Sequence, residues 1–408
     1  QLENLNVADS LKFWKNYKRI LTDKANDYMG NLMDKDILYS KRIDKENILY
    51  KSFFSGEHMS EGNFDHAFEQ EIDIEYDSIT MADFHPTPTD PNIDEHLNGE
   101  ISLVEVINAL QSQKSTAKSF DPDELHPKIL KHLPTAAIHI LKKLFNLVLN
   151  TGVWVWDVSN VTFIKKDGKD NYMVASAYRP ITISSYIGKL LEKVIEKRIK
   201  IHCEIEGILD EEQEGFRSKR NTSRYLYKLI ATLDECKKKK LTTFLLCIDF
   251  SKAFDSIWIK GLIVKLCRYQ LQGKLLKTIN NFLLSRQVRL KVDRELGQRR
   301  SCGWFGLPQG SVLAPLLFIL YIADLLKRDQ LPTDCNTYSS LFKYADDGTI
   351  AVSHQNPLYA HGIMLQMCKY LHIWCSKWKL IPNCDKNKTE CLIIQPSSSL
   401  LHTTNFQP

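Results

Sequence analysis

Two adjacent acids set in an apolar stretch constrain this chain more than any other feature: Phe342-Lys343-Tyr344-Ala345-Asp346-Asp347-Gly348-Thr349-Ile350-Ala351-Val352. Ser340 to Val352 alternates on either side of them, so it reads as a hairpin closed at Asp346-Asp347-Gly348. In isolation Asp-Asp-Gly is ordinary turn chemistry. A third acid changes that reading. The apolar, β-branched run Thr242 to Ile248 is short enough for a buried strand and delivers Asp249 at its end. A carboxylate closing a buried strand is costly unless it is paired or bound to metal. Placed beside the hairpin, this strand clusters Asp249, Asp346 and Asp347. Their repulsion favours divalent cations, and hard oxygen donors favour Mg²⁺ or Mn²⁺. Two such ions about 4 Å apart form the arrangement for in-line phosphoryl transfer.

Three further segments bear on the chemistry. Phe250-Ser251-Lys252-Ala253-Phe254-Asp255 follows Asp249, and Asp255 is expected to cap a helix over Ser256 to Leu266. In Gly306-Leu307-Pro308-Gln309-Gly310-Ser311-Val312-Leu313-Ala314-Pro315, two glycines flank the isolated Gln309 and permit close backbone approach to a ligand. Val161 to Ile164 and Ala177 to Ile183 read as strands of a second hairpin turning at Lys165-Lys166-Asp167-Gly168. Lys165, Lys166 and Arg179 on that hairpin can clamp a triphosphate, although a solvated basic turn is the commoner meaning of such residues read alone.

Along the rest of the chain, residues 11–60 look helical, and residues 61–95, acidic and then Pro-punctuated, read as a poorly ordered linker. Ser102 and Glu105 form a capping-box pattern. Helices are expected at 102–113 and 126–150, the second with an apolar stripe through Ile129, Leu133, Ile140, Leu144 and Leu147. Further helices follow at 186–206, 221–238 and Leu313 to Leu326. Strands interleaved with helices give an α+β core, a sheet backed by helices.

Composition adds limits. No apolar run reaches about 18 residues, so no membrane-spanning helix is expected. The ten cysteines include no C-x-x-C pair and read as buried free thiols of a reducing compartment; a zinc site at Cys384, Cys391 and His372 is disfavoured. Residues 1–100 carry 10 Lys/Arg and 21 Asp/Glu, whereas the remainder carries 44 and 28. A basic body behind an acidic leader fits a polyanion-binding core.

Taken in order, Tyr178-Arg179-Pro180-Ile181, Gln213-Glu214-Gly215-Phe216-Arg217, Asp249 to Asp255, Gly306 to Pro315 and Tyr344-Ala345-Asp346-Asp347 resemble the reverse transcriptases of non-LTR (LINE-type) retrotransposons. The similarity runs from about residue 100 to 395. It implies a right-hand polymerase: fingers from about 100–240 and 260–305, palm at 241–259 and 306–395, and a thumb largely absent. Residues 1–99 would be an acidic, partly helical linker of the kind that follows an endonuclease, and 396–408 the start of a downstream segment. The implied activity is RNA-directed DNA synthesis on an RNA template, from a DNA primer and dNTPs, in an intracellular ribonucleoprotein of nucleus and cytoplasm. Residue by residue, the resemblance makes Asp249, Asp346 and Asp347 the metal ligands and Phe254 the steric gate against a ribose 2′-OH. Gln309 falls beside the incoming nucleotide and template, Arg179 with Lys165 or Lys166 in the triphosphate-binding fingers, and Tyr344 beside the primer terminus. A lysine that assists as general acid to pyrophosphate matches Lys386 or Lys388, with the register open. Ser119-Phe120-Asp121-Pro122-Asp123-Glu124 lacks the family's glycines, which questions that loop's template contacts. Viral RNA-dependent RNA polymerases share the hairpin but space their first two aspartates five apart; Asp249 and Asp255 are six apart. A non-catalytic nucleic-acid-binding module is the remaining alternative.

Overall fold

The computed structural model describes residues 29–59, 62–87, 90–113, 120–327, 337–385 and 388–396, with the backbone of 402–404. It opens on a hairpin, β1 (Leu32–Asp34) and β2 (Ile37–Tyr39), then helix α1 (Arg42–Phe53). Helix alone was expected here. Lys35 and Asp36 both take positive φ (47° and 64°), the geometry of a tight two-residue hairpin turn. Helices α2 (His66–Met81), α3 (Pro91–Asn98), α4 (Leu103–Gln111), α5 (Pro127–Leu130) and α6 (Thr135–Thr151) come next.

The stretch expected to be a disordered linker is therefore largely helical. Asp65 caps α2 by accepting from Phe68 N–H, and Asp90 with Pro91 starts α3. Ile72, Tyr76 and Ile79 of α2 are buried in the main core. The acidity that suggested disorder is instead matched by a basic helix: Asp73 pairs with Lys260 and Glu75 with Arg268. The capping box at Ser102 and Glu105 is present. The stripe expected on α6 is out of phase. Ile129, Ile140 and Leu147 are 52%, 66% and 59% exposed, while Leu141, Phe145, Val148 and Leu149 are buried. Pro134 also splits the expected helix into α5 and α6.

The remaining elements are β3 (Val158–Lys165), β4 (Tyr178–Ile183), α7 (Tyr186–Ile205), α8 (Thr222–Lys238), β5 (Thr242–Ile248), α9 (Ile259–Arg268), α10 (Gly273–Leu284), β6 (Gln287–Val292), β7 (Glu295–Leu296), β8 (Arg300–Ser301), α11 (Ala314–Tyr321), β9 (Tyr338–Tyr344), β10 (Asp347–His354), α12 (Pro357–Trp378), β11 (Glu390–Ile394) and β12 (His402–Thr404). They build two five-stranded sheets. The first has the order β12-β11-β5-β10-β9, antiparallel throughout. Tyr225, Leu229 and Leu233 of α8 cover one face of it over Leu245, Phe342 and Ala351. The other face joins the main core, with Leu246 and Ile350 among Met364, Met367 and Leu371 of α12. Strand β5 is thus sealed on both faces, which is why its sequence reads as a continuous apolar run.

The second sheet has the order β4-β3-β6-β7, with β8 also on β6. Strand β3 pairs antiparallel with β4 and parallel with β6. Leu49 and Phe53 of α1 cover one face, over Val161, Tyr178, Val288 and Leu290. On the other face Ile164 is 54% exposed and Arg179 is exposed beside it.

Candidate active site

Asp249 follows the last residue of β5, and in the neighbouring strand Gly348 lies opposite Ile248. That register brings Asp347 alongside Asp249 across the strand pair. Asp346 occupies the two-residue turn between Tyr344 and Asp347, which pair across the hairpin. Its neighbour Ala345 has φ 56°, a left-handed conformation costing an L-residue about 1–2 kcal/mol. Burial, and then the charge of Asp249, push the half-buried Asp346 carboxyl above its ordinary value. Burial followed by the charges of Asp346 and Asp249 does the same to Asp347. The three acids therefore feel one another, as like charges gathered in one corner must.

Asn383, Lys388 and Thr389 lie against Asp249. Asn383 Nδ2 donates to Asp249 Oδ2 at 2.9 Å, and Lys388 Nζ lies 3.3 Å from the same oxygen. Thr389 Oγ1 accepts from Asp249 N–H and donates to Asp249 O, both at 3.2 Å. Asn383 and Thr389 were not foreseen, since nothing in an Asn-Cys-Asp-Lys loop reports a partner 134 residues away. Of the two candidate lysines, Lys388 faces the acids; Lys386 lies outside the described residues. The donors suit a hard divalent cation, being carboxylates that already draw the Lys388 ammonium. They are not closed into a cage: among the described residues no three His, Cys, Asp or Glu side chains converge at metal-binding distance.

Tyr344 sits edge-to-face on Tyr225 with centroids 6.1 Å apart. Both line an open cleft of about 410 Å³ with Asp249, Asp347 and Lys388. Tyr225 is itself fixed by a 2.8 Å hydrogen bond between its hydroxyl and Thr349.

The basic hairpin faces the loop after Asp249. Lys166 lies among Arg179, Lys169, Asp255 and Lys252; burial, and then the repulsion of Arg179, hold its ammonium below the usual range. Lys165 goes the other way, its ammonium 5.1 Å from the Tyr172 ring centroid. Gln309 ties the two sides together. Its Nε2 donates to Asp255 Oδ1 at 2.8 Å, while its main-chain oxygen accepts from Thr182 N–H at 2.8 Å. Gly306 and Gly310 do permit close approach, but to the chain itself. A Cβ on Gly306 would lie 3.0 Å from Asp255 O, and one on Gly310 2.6 Å from Thr182 O.

Asp255 does not cap a helix. Helix α9 begins three residues later than Ser256, at Ile259, with no side-chain cap at Trp258. Asp255 is instead 8% exposed, and burial pushes its carboxyl up to about 6 against the pull of the Gln309 hydrogen bond, Lys252 and Lys166. Phe254 is half-buried and stacks on Phe318, centroids 4.8 Å apart at 16°. Arg286, another unforeseen residue, donates to the carbonyls of Phe305 and Gly306 and steadies the loop that leads to Gln309. The glycine-free loop is held by Asp121, whose carboxylate accepts from the backbone N–H groups of Asp123, Leu125 and Tyr186.

An α+β body with acids at a strand end and hairpin turn, opposite a basic hairpin, is an arrangement suited to phosphoryl-transfer chemistry. The sequence model of the family described as reverse transcriptase (RNA-dependent DNA polymerase) matches residues 164–403, and the chain belongs to that family. It is 27% identical over 287 residues to the RNA-directed DNA polymerase from mobile element jockey of Drosophila funebris, covering 69% of this chain and 31% of that protein. The probable RNA-directed DNA polymerase from transposon BS of Drosophila melanogaster is 28% identical over 298 residues, 72% of this chain and 32% of that one. A Pol polyprotein from the type-1 retrotransposable element R2 of Nasonia vitripennis is 24% identical over 266 residues, 61% and 25% of the two chains. The resemblance to non-LTR retrotransposon enzymes stands on these relatives. The chain spans about a third of the length of the first two.

Proposed function

We propose that this chain is an RNA-directed DNA polymerase that extends a DNA primer 3′-OH on an RNA template with dNTPs. The observation that carries the reading is the register joining β5 to β10, which puts Asp347 beside Asp249 on the wall of an open cleft, with Asp346 next to it in the turn. In this reading the first sheet is the palm and the second belongs to the fingers. Two Mg²⁺ or Mn²⁺ ions held by the three aspartates would activate the primer hydroxyl and neutralise the departing pyrophosphate. The primer 3′-oxygen bonds to the α-phosphorus as the bond to pyrophosphate breaks.

The chain's own residues supply the rest. Lys166 and Arg179 hold the triphosphate, with Lys165 a lesser contributor because it leans on Tyr172. Gln309 fixes the floor under the nucleotide, and Phe254 is the gate against a ribose 2′-OH. Tyr344 lies beside the primer terminus. Lys388, already against Asp249, donates a proton to the leaving pyrophosphate.

The test is primer extension on an RNA template with dNTPs or rNTPs and Mg²⁺ or Mn²⁺, beside Asp346→Ala. Extension with dNTPs alone, abolished by the substitution, is expected. Extension with rNTPs would move the chain to the RNA polymerases and remove Phe254 as gate. RNA binding without extension would indicate a binding module.

A further inference from the structure

The turn that carries Asp346 and Asp347 is held from outside its own hairpin. Residues 212–214 lie beside β9 as a short parallel strand: Lys343 N–H donates to Glu212 O at 3.2 Å, and Glu214 N–H to Lys343 O at 2.8 Å. Gln213, 3% exposed, uses one side-chain oxygen twice. Its Oε1 accepts from Gly215 N–H at 2.9 Å and from Ala345 N–H at 3.0 Å. Gly215 meets the turn so closely that a Cβ there would lie 2.2 Å from Ala345 N. The strap is anchored on its far side too, Glu214 pairing with Lys228 at 2.7 Å and Arg224 at 3.1 Å. Lys343 Nζ reaches Asp210 at 3.2 Å.

The turn needs such a hold. Ala345 keeps a left-handed backbone that alanine disfavours, and the residues beside it set like charges together. Rotation of the Tyr344–Ala345 peptide would change the Ala345 φ and relieve that strain. The Ala345 N–H is the group that such a movement must swing, and Gln213 is what it is bonded to.

Resting on the polymerase reading above, we infer that Gln213 is a positioning residue. Through Ala345 N–H it fixes the turn so that Asp346 and Asp347 meet a divalent cation already arranged, and it thereby sets metal affinity and turnover rather than nucleotide or template binding. Partners that orient metal ligands from behind are typically worth about 10–100-fold in metal affinity.

The experiment compares the full chain with Gln213→Leu and Gln213→Glu. Mn²⁺ binding is read by electron paramagnetic resonance without nucleic acid, alongside thermal melting, RNA binding, and kcat and KM for dNTP in primer extension. Gln213→Leu is expected to weaken Mn²⁺ binding about tenfold and lower kcat by a similar factor, leaving KM and RNA affinity unchanged. Gln213→Glu keeps an oxygen that accepts both N–H groups and recovers most of the loss. Wild-type Mn²⁺ affinity and kcat in Gln213→Leu would overturn the inference. So would a loss shared by both variants and extending to RNA binding, the mark of general structural damage. Should Gln213→Leu fail to fold, Gln213→Asn decides, since it keeps a buried amide that is one methylene too short for the Ala345 N–H. Tenfold weaker Mn²⁺ binding supports the role, and unchanged binding removes it. A wild type that binds Mn²⁺ yet extends no primer sinks the polymerase reading, while the Mn²⁺ comparison still decides the part of Gln213.

Discussion

Strand β5 is sealed between α8 and the main core, whereas the second sheet has α1 on one face and leaves Ile164 and Arg179 exposed on the other. The acids sit on the sealed sheet and the basic residues on the open one. Burial on both faces fixes where a carboxylate points, which metal chemistry demands, and it also raises the cost of ionising it. Arg179, exposed on that face, costs little to keep charged and can follow a phosphate that arrives and leaves, whereas Lys166 beside it is half-buried and its ammonium is held below the usual range. The two halves of the proposed site are thus built to opposite tolerances, one fixed and strained, the other, at Arg179, cheap and adjustable.

The largest effect should come from the fixed half. Asp249→Asn is expected to lower primer extension about 10³-fold or more with RNA binding retained, by filter binding beside single-turnover kinetics. A tenfold loss would mean that Asp249 is replaceable and the sealed sheet is not where the chemistry is fixed. On the open half, Arg179→Ala and Lys166→Ala should each raise KM for dNTP about ten- to a hundredfold, and Lys165→Ala by less than about threefold. Equal effects from the two lysines would erase the distinction drawn from the Tyr172 contact.

The smallest effect is on stability. Asp346 has a folded-state pKa raised above its unfolded value, so its stabilising contribution is complete below pH ~4 and is lost as pH rises through the folded value. In EDTA at pH 7.5, Asp346→Asn should therefore melt about 1–3 °C higher than the wild type, and the gain should vanish on acidification. A variant that melts lower at pH 7.5 would show that Lys388 more than compensates the crowding.

The acids were legible because a short run buried on both faces has a distinctive composition, and Asp249 ends one. Lys165 and Lys166 could not be separated by composition. The hairpin register separates them: Ile164 pairs with Arg179 and Lys165 with Tyr178, so alternate residues go to opposite faces. Helix α6 has a polar face through His139, Lys142, Lys143 and Asn150, but its apolar arc is wide, and the expected stripe ran along the edge of that arc rather than through its buried centre. Asp255 looked like a cap because its partner, Gln309, is 54 residues away. Gln213 fell within a motif of the family resemblance, but nothing local assigned it a role, because its bond to the turn spans 132 residues. What stayed hidden is what depends on side chains meeting across the chain.

Helix α1 has a consequence in time. Its Tyr50 hydroxyl donates to the carbonyl of Ser301, 251 residues further on, and Leu49 and Phe53 are covered by β6 from the same distant region. At about 5–20 residues per second, a ribosome needs roughly 10–50 s to deliver that partner. For that interval the part of α1 that meets β6 waits uncovered on the nascent chain, with only β3 and β4 arriving sooner, and Asp346 and Asp347 are made later still. During synthesis α1 therefore stays open to wrong association until β6 and β8 are made.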